Sequence, residues 1–161
     1  MGTDLTALGE LLGDGENVLR GLNPAHCDGG VPTEGCFILK RNDALNNGPS
    51  FGILEPAPEE AETAPIGARQ GICVNTFAGL LPSTDYGIAR LNVGVALEPI
   101  RGRESGFIQN DEARWGPFSR AHAMFTGYQS FGNQERKDLQ RHLARIAAKA
   151  VLKAPAPLSK S

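Results

Sequence analysis

The segment from Asn133 onward limits the fold more than any other part of the chain. Apolar residues recur at Leu139, Leu143, Ile146, Ala147 and Ala150, while Lys137, Arg141, Arg145 and Lys149 line up on the opposite side at four-residue steps. That is the period of an α-helix, so the sequence predicts one amphipathic helix from Gln134 to about Leu152, capped by Asn133. Such a helix has a single stripe to bury and needs a surface to bury it on.

The rest of the chain offers short strands for that surface. Asn17 to Leu22, Cys36 to Lys40, Ser50 to Leu54, Ile88 to Leu97 and His122 to Tyr128 read as strands, bounded by Asn23-Pro24, Asn46-Asn47-Gly48-Pro49 and Pro99. The second and third are expected to form a hairpin with a long loop. Residues 3–12 and 70–81 read as short helices, and 101–120 as irregular loop. The expected fold is therefore α+β: a single domain over 1–153, with a mixed, mostly antiparallel sheet. A short N-terminal helix and the long C-terminal amphipathic helix pack mainly on one face. The acidic, Pro/Ala-rich stretch 55–66 is expected to be a mobile loop, and 154–161 a flexible tail.

Composition sets further bounds. With 161 residues, 40% hydrophobic and 21% charged, the chain can bury roughly 70% of its unfolded surface without a disulfide or metal. Net charge is −2, but residues 1–80 carry 11 acidic and 4 basic side chains and residues 81–161 carry 7 and 12. Either the two halves pair with each other or opposite fields lie on two faces. No overall attraction to nucleic acid follows, and no stretch approaches the roughly 20 apolar residues that span a bilayer. Three cysteines without paired spacing, and an N-terminus lacking a basic segment before an apolar run, lead us to expect a cytoplasmic protein.

The usual catalytic motifs do not occur. There is no phosphate-cradling Walker loop, dinucleotide glycine fingerprint, Gly-x-Ser-x-Gly elbow, HExxH, paired Cys-x-x-Cys or calcium loop. No cofactor and no metal are expected. His26, Cys27, Cys36 and His122 are spaced unlike zinc ligands, and read as a turn histidine with buried thiols. Cys27, between His26 and Asp28, is the most accessible candidate for a thiol nucleophile with His122 as its base.

Arginines and one histidine are more informative. Arg20 interrupts an apolar strand just before the turn at Asn23-Pro24, where a guanidinium offers a rigid fork for phosphate or carboxylate. His122 opens the last strand and can carry a proton near neutral pH. Arg101, Arg103, Arg114, Trp115 and Arg120 crowd guanidiniums and the sole tryptophan into one loop. That grouping suits stacking on single-stranded nucleic acid or a nucleotide, or a protein hot spot; equally, Trp115 can pack into the core with solvated arginines around it.

The run Leu19-Arg20-Gly21-Leu22-Asn23-Pro24, then Pro32-Thr33 before Cys36-Phe37, Pro49-Ser50-Phe51, and Arg120-Ala121-His122-Ala123 before a basic helix resembles a family of small, stand-alone bacterial proteins that are uncharacterised. Its members run Leu-Arg-Arg-Ile-x-Pro, Pro-Ser-Ser-x-x-Phe, Met-Ser-Val and Pro-Ala-His-Ala. Here Thr33 stands where serine is usual, Phe51-Gly52 replaces the valine after Ser50, and Arg120 replaces a proline. The resemblance implies no activity; it nominates Arg20, Ser50 and His122 as neighbours in space.

Two readings follow. The first is a non-catalytic module that binds a protein partner through the Trp115–arginine loop. It expects an exposed apolar patch near Trp115. The alternative is a small enzyme or receptor for a phosphate-bearing, nucleotide-like ligand, with Arg20 holding the anion, Ser50 orienting the ligand and His122 moving a proton. A site of the ADP-ribosyl-transfer type is its nearest analogy. It expects the three residues to line one pocket.

Overall fold

The computed structural model describes residues 10–39, 49–55, 70–103, 105–128 and 130–157. In chain order the strands and helices are β1 (Glu10–Leu11), β2 (Asn17–Leu22), β3 (Cys27–Asp28), β4 (Val31–Pro32), β5 (Ser50–Ile53), α1 (Val74–Leu80), β6 (Gly87–Asn92), α2 (Val93–Leu97), β7 (Gly106–Gln109), β8 (His122–Thr126), α3 (Asn133–Ala148) and β9 (Val151–Lys153). Seven strands form one sheet in the order β1-β7-β8-β5-β2-β6-β9, and every ladder in it is antiparallel. β3 and β4 make a separate small ribbon. The α+β architecture expected from the sequence is present.

Strand alternation explains the two cores. In β2, Val18 and Leu22 enter the larger cluster with Leu139, Leu143, Ala144 and Ala147 of α3. Leu19 points the other way, into a smaller cluster with Ile72, Phe77 and Ile88, against which Trp115 is packed. So α3 covers one face, while α1 and the segment before β8 cover part of the other. Glu135 anchors the start of α3 by accepting from the Gly132 N–H at 3.1 Å. Buried Gln140 holds the chain after Phe37 by accepting from the Leu39 N–H at 3.0 Å.

Several expected elements end or turn elsewhere. Cys36 does not open a strand. Thr33 accepts from the Gly35 N–H and starts a 3-10 turn over Glu34–Phe37. β5 consequently has no hairpin partner there and pairs with β2 and β8 instead. The strand expected to run to Leu97 stops at Asn92, whose side chain accepts from the Val95 N–H at 3.0 Å and caps α2. The region read as loop contains β7, which pairs with β8. α3 ends at Ala148, and the chain returns as edge strand β9 beside β6. The following residues, read as a frayed tail, continue along the sheet: Pro155 is buried and the Ala156 N–H donates to the Asp85 carbonyl at 2.9 Å. Of the helix expected over 3–12, Glu10–Leu11 form the edge strand β1. Residues 3–9, most of the 55–66 loop and the end of the tail lie outside the described residues. No helix among the described residues is long and apolar enough to cross a membrane.

Candidate functional site: a cleft where the sheet parts

The site begins with an incomplete ladder. β2 pairs with β6 along its whole length, from Asn17↔Asn92 to Leu22↔Gly87. With β5 it pairs only at Val18↔Ile53 and Leu19↔Gly52. Arg20 is the next residue, and its side chain spans the opening. Nη1 donates to the Ser50 carbonyl at 2.8 Å and Nε donates to the Cys36 carbonyl at 2.9 Å. The guanidinium lies 5.4 Å from the Phe51 ring centre and 5.9 Å from that of Phe37. These contacts fix the orientation of the fork. Among the described residues no carboxylate pairs with it, and burial pulls its pKa down from the ordinary arginine value.

His122 stands on the neighbouring strand. It pairs with Gly52 across β8 and β5, on the face that carries Phe77. His122 Nδ1 lies 2.7 Å from Asn110 Oδ1. A carbonyl oxygen can only accept, so Nδ1 carries the hydrogen and Nε2 is left with a lone pair. The Asn110 N–H returns a bond to the His122 carbonyl at 3.1 Å. The imidazole is buried, with its centre 4.9 Å from the Trp115 ring at an interplanar angle of 84°. Trp115 in turn meets Phe77 edge to face at 5.9 Å. Burial holds the imidazole pKa below its usual value, with Arg114 adding to the effect and Glu112 opposing it.

These groups line one cleft of 710 Å³. Its lining includes Arg20, Asn23 and Cys36, Pro49 and Ser50 at the start of β5, Phe77, Leu81 and Tyr86, and Arg114, Trp115 and His122. The structure thus brings together Arg20, Ser50 and His122, with Arg114 and Trp115 at the same cleft. Ser50 is exposed, and Arg20 uses its backbone carbonyl rather than its hydroxyl. Arg114 is tied to Glu112 at 2.8 Å, which holds that carboxyl below its usual range.

The other loop arginines go elsewhere. Arg101 pairs with Asp14 at 3.0 Å and Glu98 at 3.4 Å. Arg103 pairs with Glu135 and lies 4.2 Å over Phe131 at the start of α3. Arg120 is half-buried, its carbonyl accepting from the Gln70 N–H. The arginine loop is therefore not one patch.

Cys27 and Cys36 come within 3.9 Å, sulfur to sulfur, as free thiols. Burial and the neighbouring Cys36 push Cys27 up to about 12, so it is not a thiolate nucleophile at neutral pH. Among the described residues no three His, Cys, Asp or Glu side chains gather as a metal-holding group. Residues that sequence reasoning missed are Asn110, Phe77, Tyr86 and the carbonyl of Cys36. None of them carries a local signal of its role. No family model matches this chain, nor does any curated protein or solved structure, so the cleft's own chemistry has to supply the function.

Proposed function

We propose that this protein binds a phosphate-bearing, nucleotide-like small molecule in the cleft between β2 and β5, with Arg20 as the anion-holding residue. The observation that carries this reading is the guanidinium itself: half-buried, oriented by two carbonyls and, among the described residues, without a carboxylate partner. A partly desolvated cation that meets only dipoles among the described residues is costly to hold, and an anion entering the cleft supplies the missing charge. The fork geometry suits phosphate oxygens. The Ser50 hydroxyl orients the ligand, Trp115 and Tyr86 form aromatic walls, and His122 accepts a proton or hydrogen bond at Nε2.

A protein-binding module draws less support. Trp115 is half-buried against Phe77 and His122 rather than presented on a patch. Among the described residues the exposed large apolar side chains are Leu11, Val31, Ile38, Val95 and Leu152, and only Ile38 borders the cleft.

Thermal unfolding tests the proposal. A ligand that binds only the folded state at 100 times its Kd adds about 2.7 kcal/mol of stability. Pyrophosphate or a nucleoside monophosphate should raise the Tm of the wild type, and the shift should disappear in Arg20→Lys, which keeps the charge but not the fork. If no phosphate compound at millimolar concentration moves the Tm, the proposal fails.

A further inference from the structure

We infer that Cys27 and Cys36 are a reversible dithiol–disulfide site, oxidised by small disulfides of the glutathione class and returned by the matching thiol. It does not depend on the phosphate reading of the cleft.

A small ribbon folds the two residues onto each other. β3 and β4 pair Cys27 with Pro32, and the Thr33 N–H donates to the His26 carbonyl at 3.2 Å. The Cys36 N–H then donates to the Thr33 carbonyl at 3.0 Å, inside the turn over Glu34–Phe37. These bonds bring Cys36 Sγ within 3.3 Å of the His26 carbonyl and 3.9 Å of Cys27 Sγ, both thiols being free. Sulfurs at that separation touch, and about 2 Å of further approach makes a disulfide. The thiol hydrogens have only carbonyls to meet, Asn23 for Cys27 at 3.5 Å and His26 for Cys36. A thiol is a weak donor, so closing the bond sacrifices little.

Cys27 is half-buried, while Cys36 is buried, so the oxidant meets Cys27 first. The Cys27 thiolate attacks one sulfur of the small disulfide, whose S–S bond breaks, and one small thiol leaves with the Cys27 proton. The Cys36 thiolate then attacks Cys27 Sγ, the mixed disulfide breaks, and the second small thiol leaves with the Cys36 proton. Two protein thiols are oxidised and one small disulfide is reduced to two thiols. Burial raises both protein thiols, Cys27 to about 12, so the exchange is slow at neutral pH and quickens as pH rises. Cys73 provides an internal control. It stands at the start of α1 with Thr76 Oγ1 at 3.0 Å, a contact that holds its pKa below the ordinary thiol value.

The fold itself is what holds the sulfurs together. The pair should therefore close more readily folded than unfolded, and the disulfide should stabilise the fold by the same factor.

The test uses the whole wild-type chain. Reduced protein is equilibrated at pH 8.5 with glutathione buffers, native and in concentrated urea, the share of oxidised glutathione being raised until Cys73 carries an adduct. Free thiols are then alkylated and the peptides mapped by mass spectrometry. Native protein should show Cys27 joined to Cys36, closing at least about tenfold more favourably than in urea. Excess dithiothreitol should restore both thiols, and the oxidised form should melt at a higher temperature than the reduced one. In Cys36→Ser, Cys27 should stop at the glutathione adduct. Native protein whose Cys27 and Cys36 hold only adducts or free thiols while Cys73 reacts would overturn the inference. Closure no more favourable than in urea would do the same, because the contact would then be plain packing of two thiols.

Discussion

Arg20 Nη1 donates to the Ser50 carbonyl at 2.8 Å, one residue beyond the last β2–β5 ladder pair. A side chain thus bonds a carbonyl of β5 where the β2–β5 ladder has ended. That substitution keeps the strand end satisfied while leaving the cleft open beside it. It also makes Arg20 both a structural tie and the candidate anion site.

Replacing Arg20 with alanine should therefore be expensive. Two charge-assisted bonds and contact with two aromatic rings are lost, and the Cys36 and Ser50 carbonyls lose their donor. We expect a loss of about 3 kcal/mol in urea unfolding. Arg20→Lys should cost less than the alanine change, because the ammonium can reach one carbonyl but not bridge both. Equal stability of the wild type and Arg20→Ala would remove the structural role.

His122 gives the protein a pH dependence of definite sign. Unfolded, its imidazole titrates near 6.5. Folded, burial lowers the pKa; Arg114 also lowers it, and Glu112 raises it without reversing the shift. As pH falls below about 6.5 the unfolded chain takes up the proton first, so stability declines toward the folded pKa and is complete above the unfolded one. Urea unfolding at pH 7.5 and 5.5 should show this decline in wild type and a smaller one in His122→Gln. Trp115 is the sole tryptophan and touches the ring, so its fluorescence should report the protonation with a midpoint below 6.5. A midpoint at or above 6.5 would contradict the burial argument.

The sequence made the strongly periodic pieces readable and hid the rest for physical reasons. α3 and β2 carry their periods openly, and Asn23-Pro24 marks where β2 stops. β7 has only four residues, all buried, so it shows no alternation. Asn92 and Thr33 each cap a turn that local hydrophobicity would assign to a strand. β1 and β9 are two- and three-residue edges whose partners, β7 and β6, lie far away in sequence. Arg20 and His122 stood out because each is a polar residue in an apolar run. The Ser50 and Cys36 carbonyls could not stand out, since every residue has a carbonyl. Asn110 sits 12 residues from His122 in an unremarkable loop, with nothing local to connect the two.

Charge in the arginine loop should separate by function. Arg101 and Arg103 are engaged with Asp14, Glu98 and Glu135 on exposed surface, where water and salt screen such pairs. Arg101→Ala and Arg103→Ala should leave pyrophosphate affinity unchanged in calorimetry. Arg114 lines the cleft, and Arg114→Ala should weaken binding several-fold without a large loss of stability. If Arg101→Ala weakened binding as much as Arg114→Ala, the anion would sit elsewhere than the cleft.

Gly52 tests whether the aromatic wall is built from the strand beneath it. A Cβ at this position would meet Phe77 Cδ1 at 2.7 Å, Phe77 Cε1 at 2.8 Å and Ile72 Cγ2 at 3.2 Å. Phe77 is buried, so its ring has little room to retreat, and it stands against Trp115, which stands against His122. Gly52→Ala should therefore cost about 1–3 kcal/mol, the usual range for overpacking a filled core. Because the displaced ring leans on the cleft wall, the variant should also shift Trp115 emission and weaken binding of AMP more than of pyrophosphate. Gly87→Ala is the control: its Cβ would meet the Pro155 nitrogen at 2.6 Å and the Lys153 carbonyl at 2.7 Å. Gly87 pairs with Leu22 on β2, and neither Pro155 nor Lys153 lines the cleft. That change should loosen β9 and lower the Tm while leaving the ratio of AMP to pyrophosphate affinity intact. A loss of that ratio in both variants would mean that the cleft responds to any destabilisation, and the relay from Gly52 through Phe77 and Trp115 would have no support.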